Sequence, residues 1–258
     1  MEQGKRSNLV WILGPYFLVV FIIFAQPCLG QATAPLVKQA DELYAARADP
    51  AKVKGAIEAY KNALIKDPKN DEAAYKLCRA YYFLATHAAP GEQLRLFELG
   101  VEAGKKAIDI NPNSLGGHFW LGVCYGKYGL AKGVIKSLAL VDPIKKEMAA
   151  VIEQDPSYEH GGAYRVLGRL YAKLPGLAGG SNSKAIDYLK TSIKYGPDRL
   201  LTRVYLAEVY IDTGQRDLAK KELEDVLKAP VLKGWEVESK EEKAEAKALL
   251  DKLSKEQQ

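Results

Sequence analysis

Cysteine is scarce in this chain, with three in 258 residues. Cys28 lies in the N-terminal segment. Cys78 and Cys124 both fall in helical patterns where small buried residues are wanted, so two packed thiols are expected rather than a disulfide. Histidine is as sparse: His87, His118 and His160 stand far apart, with no neighbouring ligand at metal spacing. No strand-like alternation of useful length occurs, so no sheet is expected. Charge of one sign is also missing. A formal net charge of +5, spread along the chain, is too diffuse to imply nucleic acid. Gly179-Gly180-Ser181-Asn182-Ser183-Lys184 superficially looks like a phosphate loop, but it lacks the Gly-Lys-Ser/Thr spacing and a preceding strand. It reads as a turn with Ser183 capping the next helix. Carboxylates mostly alternate with lysines, the mark of a solvated helix face. No clustered catalytic set, metal site or cofactor site can be assembled, and the expectation is a protein that is not an enzyme.

The N-terminus does carry a long apolar run. Lys5 and Arg6 precede Leu9 to Ala25, and the small residues Gly30, Ala32 and Ala34 follow. That order is a signal peptide, with cleavage fitting after Gly30 or Ala32. A run of about 17 residues is also at the low edge of a membrane anchor, weakened by Gly14-Pro15. A lipid-modified Cys28 is a third reading, against which Pro27 stands badly placed. Residues 1–30 are thus read as a signal peptide or N-terminal anchor. Residues 36–256 form the exported part, periplasmic or held on the outer side of the inner membrane through that segment alone. Loss of residues 1–30 brings the formal charge to +4.

The rest of the chain repeats. Asp67-Pro68, Asn111-Pro112, Asp155-Pro156 and Gly196-Pro197 each mark the end of a helix, since proline cannot continue one. Between these marks fall helix pairs. The first joins Leu36–Arg47 to Ala51–Lys66. In the second, Asp71–Thr86 is interrupted at residues 87–91 and returns through Gly100, Gly104 and Ala107. The third joins Leu115–Tyr128 to Asp142–Gln154 across an insertion from Gly129 to Val141, in which Leu130, Val134, Leu138 and Val141 recur at helical spacing. The fourth opens at Gly161-Gly162, carries Leu167-Gly168 and Tyr171, and returns over Ser183 to Tyr195. The fifth reads Leu206-Ala207, Tyr210, Gly214-Gln215, Ala219, Leu223, Val226 and Pro230. That last run resembles the tetratricopeptide (TPR) repeat, two short antiparallel helices in about 34 residues. A charged helix from Lys240 to Lys255 would cap the open end. The expected fold is all-α: a TPR-type α-solenoid of about five helix pairs with a C-terminal capping helix.

A narrower resemblance rests on Asp155-Pro156-Ser157-Tyr158-Glu159-His160-Gly161-Gly162-Ala163, Leu167-Gly168, Leu174-Pro175, Leu177-Ala178-Gly179-Gly180, Ala185, Tyr188-Leu189 and Val204-Tyr205-Leu206-Ala207-Glu208. This order resembles the TatT family, periplasmic TPR proteins associated with TRAP-type solute transporters. Similar spacing occurs in regulator-of-microtubule-dynamics TPR proteins. The TatT resemblance implies a periplasmic helical protein, able to form homo-oligomers. Such a protein would work beside a solute-binding protein and a membrane transporter for organic acids or apolar small molecules.

TPR grooves are lined by the first helix of each pair. Counting from each repeat start, that face presents Tyr75, Arg79, Tyr82 and Phe83, then Phe119, Val123 and Lys127, then Arg165, Arg169 and Lys173, and in the fifth unit Val204, Glu208 and Ile211. Rings beside cations suit an amphipathic anion: the rings bury its apolar part and arginine takes a carboxylate in a bidentate grip. The bland alternative is aromatics packed between repeats and solvated arginines. The functional expectation is a binding protein accessory to TRAP-type uptake, holding a small organic acid, an apolar ligand or a partner binding protein. Its rival is an envelope scaffold holding a protein or peptide in the same groove. The insertion reads equally as lid, subunit interface or extra core.

Overall fold

The computed structural model describes Met1 and residues 29–255, with side chains from Ala34 on within the latter; the segment read as signal peptide or anchor falls almost wholly outside them. Among the described residues there are helices and no strands: α1 (Leu29–Ala45), α2 (Pro50–Lys66), α3 (Asp71–Thr86), α4 (Pro90–Ile110), α5 (Leu115–Lys132), α6 (Val134–Ser137), α7 (Val141–Gln154), α8 (Tyr158–Lys173), α9 (Asn182–Tyr195), α10 (Leu200–Asp212), α11 (Arg216–Lys228) and α12 (Glu236–Lys255). Short 3-10 turns cover Leu138–Leu140 and Gly176–Ala178. None of these helices is long and apolar enough to cross a membrane.

Proline and capping chemistry fix the boundaries. Each marker proline stands two residues beyond a helix, behind Asp67, Asn111, Asp155 or Gly196, whose extended ψ of 75–99° is what a residue before proline prefers. Asn70 and Ser114 accept hydrogen bonds from the amides of Ala73 and Gly117, satisfying donors that a helix start leaves free. At α9 the cap is Ser181, bonded to the Lys184 amide, and not Ser183. Ser181 has the extended backbone that a cap requires, whereas Ser183 is already helical.

Helices pair as α1–α2, α3–α4, α5–α7, α8–α9 and α10–α11, and each pair stacks on the next through α2–α3, α4–α5, α7–α8 and α9–α10. This is the expected five-pair TPR solenoid. One apolar core runs from α1 through α8, and a second joins α9, α10, α11 and α12. α1 begins at Leu29, seven residues before the expected start. The insertion is α6 with its 3-10 turn. Leu130 and Leu138 are exposed, Val141 is buried, and the Val134 side chain lies outside the described residues.

The glycines of α4 explain the thiols. A Cβ on Gly100 would sit 2.9 Å from the Cys124 sulfur, and one on Gly104 would sit 3.2 Å from the Cys78 sulfur and 2.9 Å from Leu121 Cβ. Both cysteines are fully buried, with sulfurs 3.4 Å apart, and burial pushes the Cys78 thiol well above the usual range. With both sulfurs sealed from solvent, neither thiol should be reached by reagent in the folded chain. Peptide mapping after iodoacetamide treatment should find Cys78 and Cys124 unmodified natively and both carbamidomethylated in guanidinium. Modification of either under native conditions would contradict the packing.

α12 departs most from expectation. Its second half caps the last pair as foreseen: Ala246 and Leu253 are buried, with Leu249 and Leu250 packed against the same core on α10 and α11. Its first half turns inward. Arg47, past the end of α1, grips Glu238 through Nε and a terminal nitrogen at 2.9 and 2.7 Å, and also donates to the Gly234 carbonyl. His87 at the end of α3 sits 2.8 Å from Glu241, and Arg199 at the start of α10 is paired with Glu242. The helix therefore lies along the inner wall, bridging the first, second and fifth units.

Candidate functional site

Between α12 and the inner wall a cavity of about 370 Å³ remains. Its wall comes from the first helices of the pairs. α3 gives Tyr82 and Phe83, α5 gives Phe119, Trp120, Val123 and Lys127, α8 gives Arg165, Arg169 and Lys173, and α10 gives Tyr205. Tyr44, His87, Arg199 and Trp235 close one side. The glutamates 238, 241, 242 and 245 of α12 form the cover, while Gly129, Leu130, Ser137 and Val141 place the insertion at its rim.

Eight of the ten groove residues expected from the sequence thus line one cavity. Two do not. Tyr75 lies between helices with its ring over Gly116, where an added Cβ would fall 2.7 Å from the ring. Arg79 lies 4.2 Å from the Tyr44 ring centre and 3.8 Å from Asp41. Repeat-to-repeat packing claims both. Of the fifth unit's positions, Val204 is core, Ile211 packs against the second core, and Glu208 is an ion-pair partner.

The aromatics are both packing and lining. Phe119 meets Trp120 edge-on at 5.1 Å and Tyr158 at 5.5 Å; Tyr82 lies 5.7 Å from Trp120; Phe83 meets Tyr44 at 6.0 Å. The arginines are not free, contrary to the carboxylate grip expected of them. Arg169 is paired with Glu208, which Lys173 also reaches at 3.2 Å, and its guanidinium lies 4.1 Å from the Tyr205 ring centre. Arg165 is buried. It donates to the backbone carbonyls of His160 and Glu159 at 3.3 and 3.2 Å and to Thr202 Oγ1 at 3.4 Å. Burial first, then neighbouring Arg199, push its guanidinium down to about 10. Its role is to hold the start of α8, where Glu159, His160 and Gly161 wind left-handed.

Lys127 is different. Among the described residues no carboxylate lies within ion-pair distance of its ammonium, and burial, followed by the adjacent Arg169, lowers its pKa from the usual lysine range. Three other lining groups hold buried polar atoms without partners: Trp120 Nε1, Arg199 Nε and Glu242 Oε2. Such atoms are uncommon in native interiors and call for an account. The sequence signals missed were Trp120, adjacent to expected Phe119, and the glutamates of α12, spaced at one helix face.

Elsewhere, His118 is structural, 2.5 Å from Glu147 and 2.8 Å from the Pro112 carbonyl, tying α5 to α7. Among the described residues no three His, Cys, Asp or Glu side chains are placed to hold a metal ion.

A family sequence model, "Regulator of microtubule dynamics protein 1-3", matches residues 36–177, more than half of the chain. The chain belongs to this family. Regulator of microtubule dynamics protein 1 of Bos taurus is 26% identical over 160 residues, which cover 59% of this chain and 49% of the bovine protein. The chain thus spans about half the length of that relative. Among solved structures, TTC0263, a thermophilic TPR protein of Thermus thermophilus, superposes with a TM-score of 0.62. It is 22% identical, covering 84% of this chain and 99% of that one. PilW, a type IV pilus biogenesis factor, gives 0.53 at 20% identity, covering 85% and 92%. At these identities the likenesses establish the TPR fold.

Proposed function

We propose that this TPR protein binds a small amphipathic anion in the cavity beneath α12, with Lys127 as its anchor. The supporting observation is the unpaired, half-buried ammonium in a wall of rings. Desolvation makes the free ammonium uncomfortable, and an acidic group beside it would restore the lost interaction. A volume of about 370 Å³ falls in the range of small-molecule pockets. Trp120 Nε1 offers a donor for a second polar group. The likeness to TatT motifs between residues 155 and 208 extends the proposal: an exported protein that serves TRAP-type uptake of organic acids beside a solute-binding protein, with residues 1–30 as its export or anchoring signal.

The test uses 1-anilinonaphthalene-8-sulfonate, an aromatic anion of suitable shape, titrated by fluorescence. Lys127→Met should weaken its binding by at least tenfold, as expected for loss of one charge-assisted contact of about 1.5–3 kcal/mol. Equal affinity in wild type and variant would remove Lys127 from the site. A second reading, an envelope scaffold that holds a protein partner in the same groove, is favoured by one observation: the groove already accommodates a helix, α12.

A further inference from the structure

The first half of α12 meets the inner wall through charge. Trp235 stands just before the helix, its ring 4.2 Å from the Arg199 guanidinium and edge-on to His160. Carboxylates follow at +3, +6, +7 and +10: Glu238 on Arg47, Glu241 on His87, Glu242 on Arg199, and Glu245 facing Glu208, Arg169 and Lys127. That spacing puts all of them on one helix face. Apolar contributions from this half are few, Trp235 and Val237 being partly buried, whereas the second half is held by Ala246, Leu249, Leu250 and Leu253.

The seating is also imperfect. Arg199 Nε and Glu242 Oε2 are buried without partners, and Glu245 lies against Glu208, another carboxylate. Burial and that neighbour raise the Glu245 pKa, so like charges oppose the closed position. The connection preceding α12 turns at Gly234, φ +81°, a conformation that glycine adopts without steric cost.

We propose that the inner wall is a receptor for an acidic amphipathic helix of a partner protein, bearing an aromatic residue followed by carboxylates at the spacing of Trp235, Glu238, Glu241, Glu242 and Glu245. The first half of α12 is its internal stand-in. The inference rests on the scaffold reading. A partner helix competes with a tethered segment whose effective concentration is high, so binding is weak until the internal segment lets go. Charge complementarity chooses the partner, and screening by salt weakens both occupants.

The test titrates the full chain with a fluorescein-labelled peptide of residues 233–248, read by anisotropy. Glu238→Gln with Glu241→Gln loosens the internal segment at two partly exposed positions and leaves buried Glu242 in place. This variant should bind the peptide at least tenfold tighter than wild type. Adding Arg47→Gln should abolish the gain, with circular dichroism confirming that each variant is folded. A second peptide with its four facing glutamates changed to glutamine should bind at least tenfold more weakly. Equal binding of the two peptides would overturn the acidic class and leave a scaffold for helices of other chemistry. No binding of either peptide would overturn the inference and the scaffold reading together. Dimerisation of the variant by exchange of α12 would make a second copy the occupant and overturn the proposal.

Discussion

Gly196→Ala is expected to lower the thermal midpoint by roughly 6–12 °C, from a loss of about 3 kcal/mol. Gly196 ends α9, and a methyl group there would lie 2.5 Å from the His160 carbonyl oxygen and 2.6 Å from its carbon. These are backbone atoms, so no rotamer change relieves the contact. The backbone they belong to is already strained. Glu159 and His160 sit at φ 50° and 58°, where a side chain costs about 1–2 kcal/mol per residue. Gly161 continues the left-handed turn at φ 67°, and its own Cβ position would fall 2.7 Å from the Ser192 carbonyl oxygen. Arg165 ties the turn by its donation to the carbonyls of Glu159 and His160. The fourth unit therefore opens on a knot of α9 end, reversed turn and buried guanidinium, with no slack for one carbon. Gly176→Ala is the control: nothing lies within 4 Å of its Cβ position, and its midpoint should match wild type. Similar midpoints for both variants would show that the turn yields.

The reversed turn was not legible in the sequence: Gly161 suits a positive φ, but nothing marks Glu159 and His160 before it as left-handed too. Left-handed angles at consecutive non-glycine residues are uncommon and persist where the surroundings hold them. The helix pairs were legible for the opposite reason: proline and cap residues act locally, and the four marker prolines each behave alike. The small residues were legible as well, since Gly104 stands where α4 meets Leu121 of α5. Groove positions on α3, α5 and α8 followed from repeat phase. What those residues do there did not follow, because Arg169 finds Glu208 across 39 residues and Arg165 finds carbonyls of a turn no pattern predicts. Glutamates of α12 share one alternation with lysines on the exposed face, so the same pattern covers buried Glu242 and exposed Glu241. Distinguishing them requires knowing that the inner wall presents Arg47 and Arg199 where α12 arrives.

Breaking the Arg199–Glu242 pair one side at a time should give unequal losses. Both side chains are nearly fully buried, and the pair ties α10 to α12. Glu242→Leu strands an arginine that cannot shed its charge, beside Arg165, and should lower urea stability at pH 7.5 by about 3–5 kcal/mol. Arg199→Met strands a carboxyl group that can take up a proton. Burial already raises the Glu242 pKa, more than Arg199 lowers it, and losing Arg199 raises it further. Its loss should therefore be smaller, about 2–3 kcal/mol at pH 7.5. It should also depend on pH with a definite sign. A carboxyl whose folded pKa exceeds its unfolded one keeps its proton longer in the native state. Stability is then lost as pH rises through the window above the ordinary glutamate value. The deficit of Arg199→Met should accordingly shrink between pH 8 and pH 5, while that of Glu242→Leu, which lacks the titrating carboxyl, should not shrink. Two apolar side chains can fill the space without a buried charge, so the double variant should be more stable than Glu242→Leu alone. Additive losses, or an Arg199→Met deficit that ignores pH, would mean that water reaches this pair and that α12 does not seal the wall at Arg199.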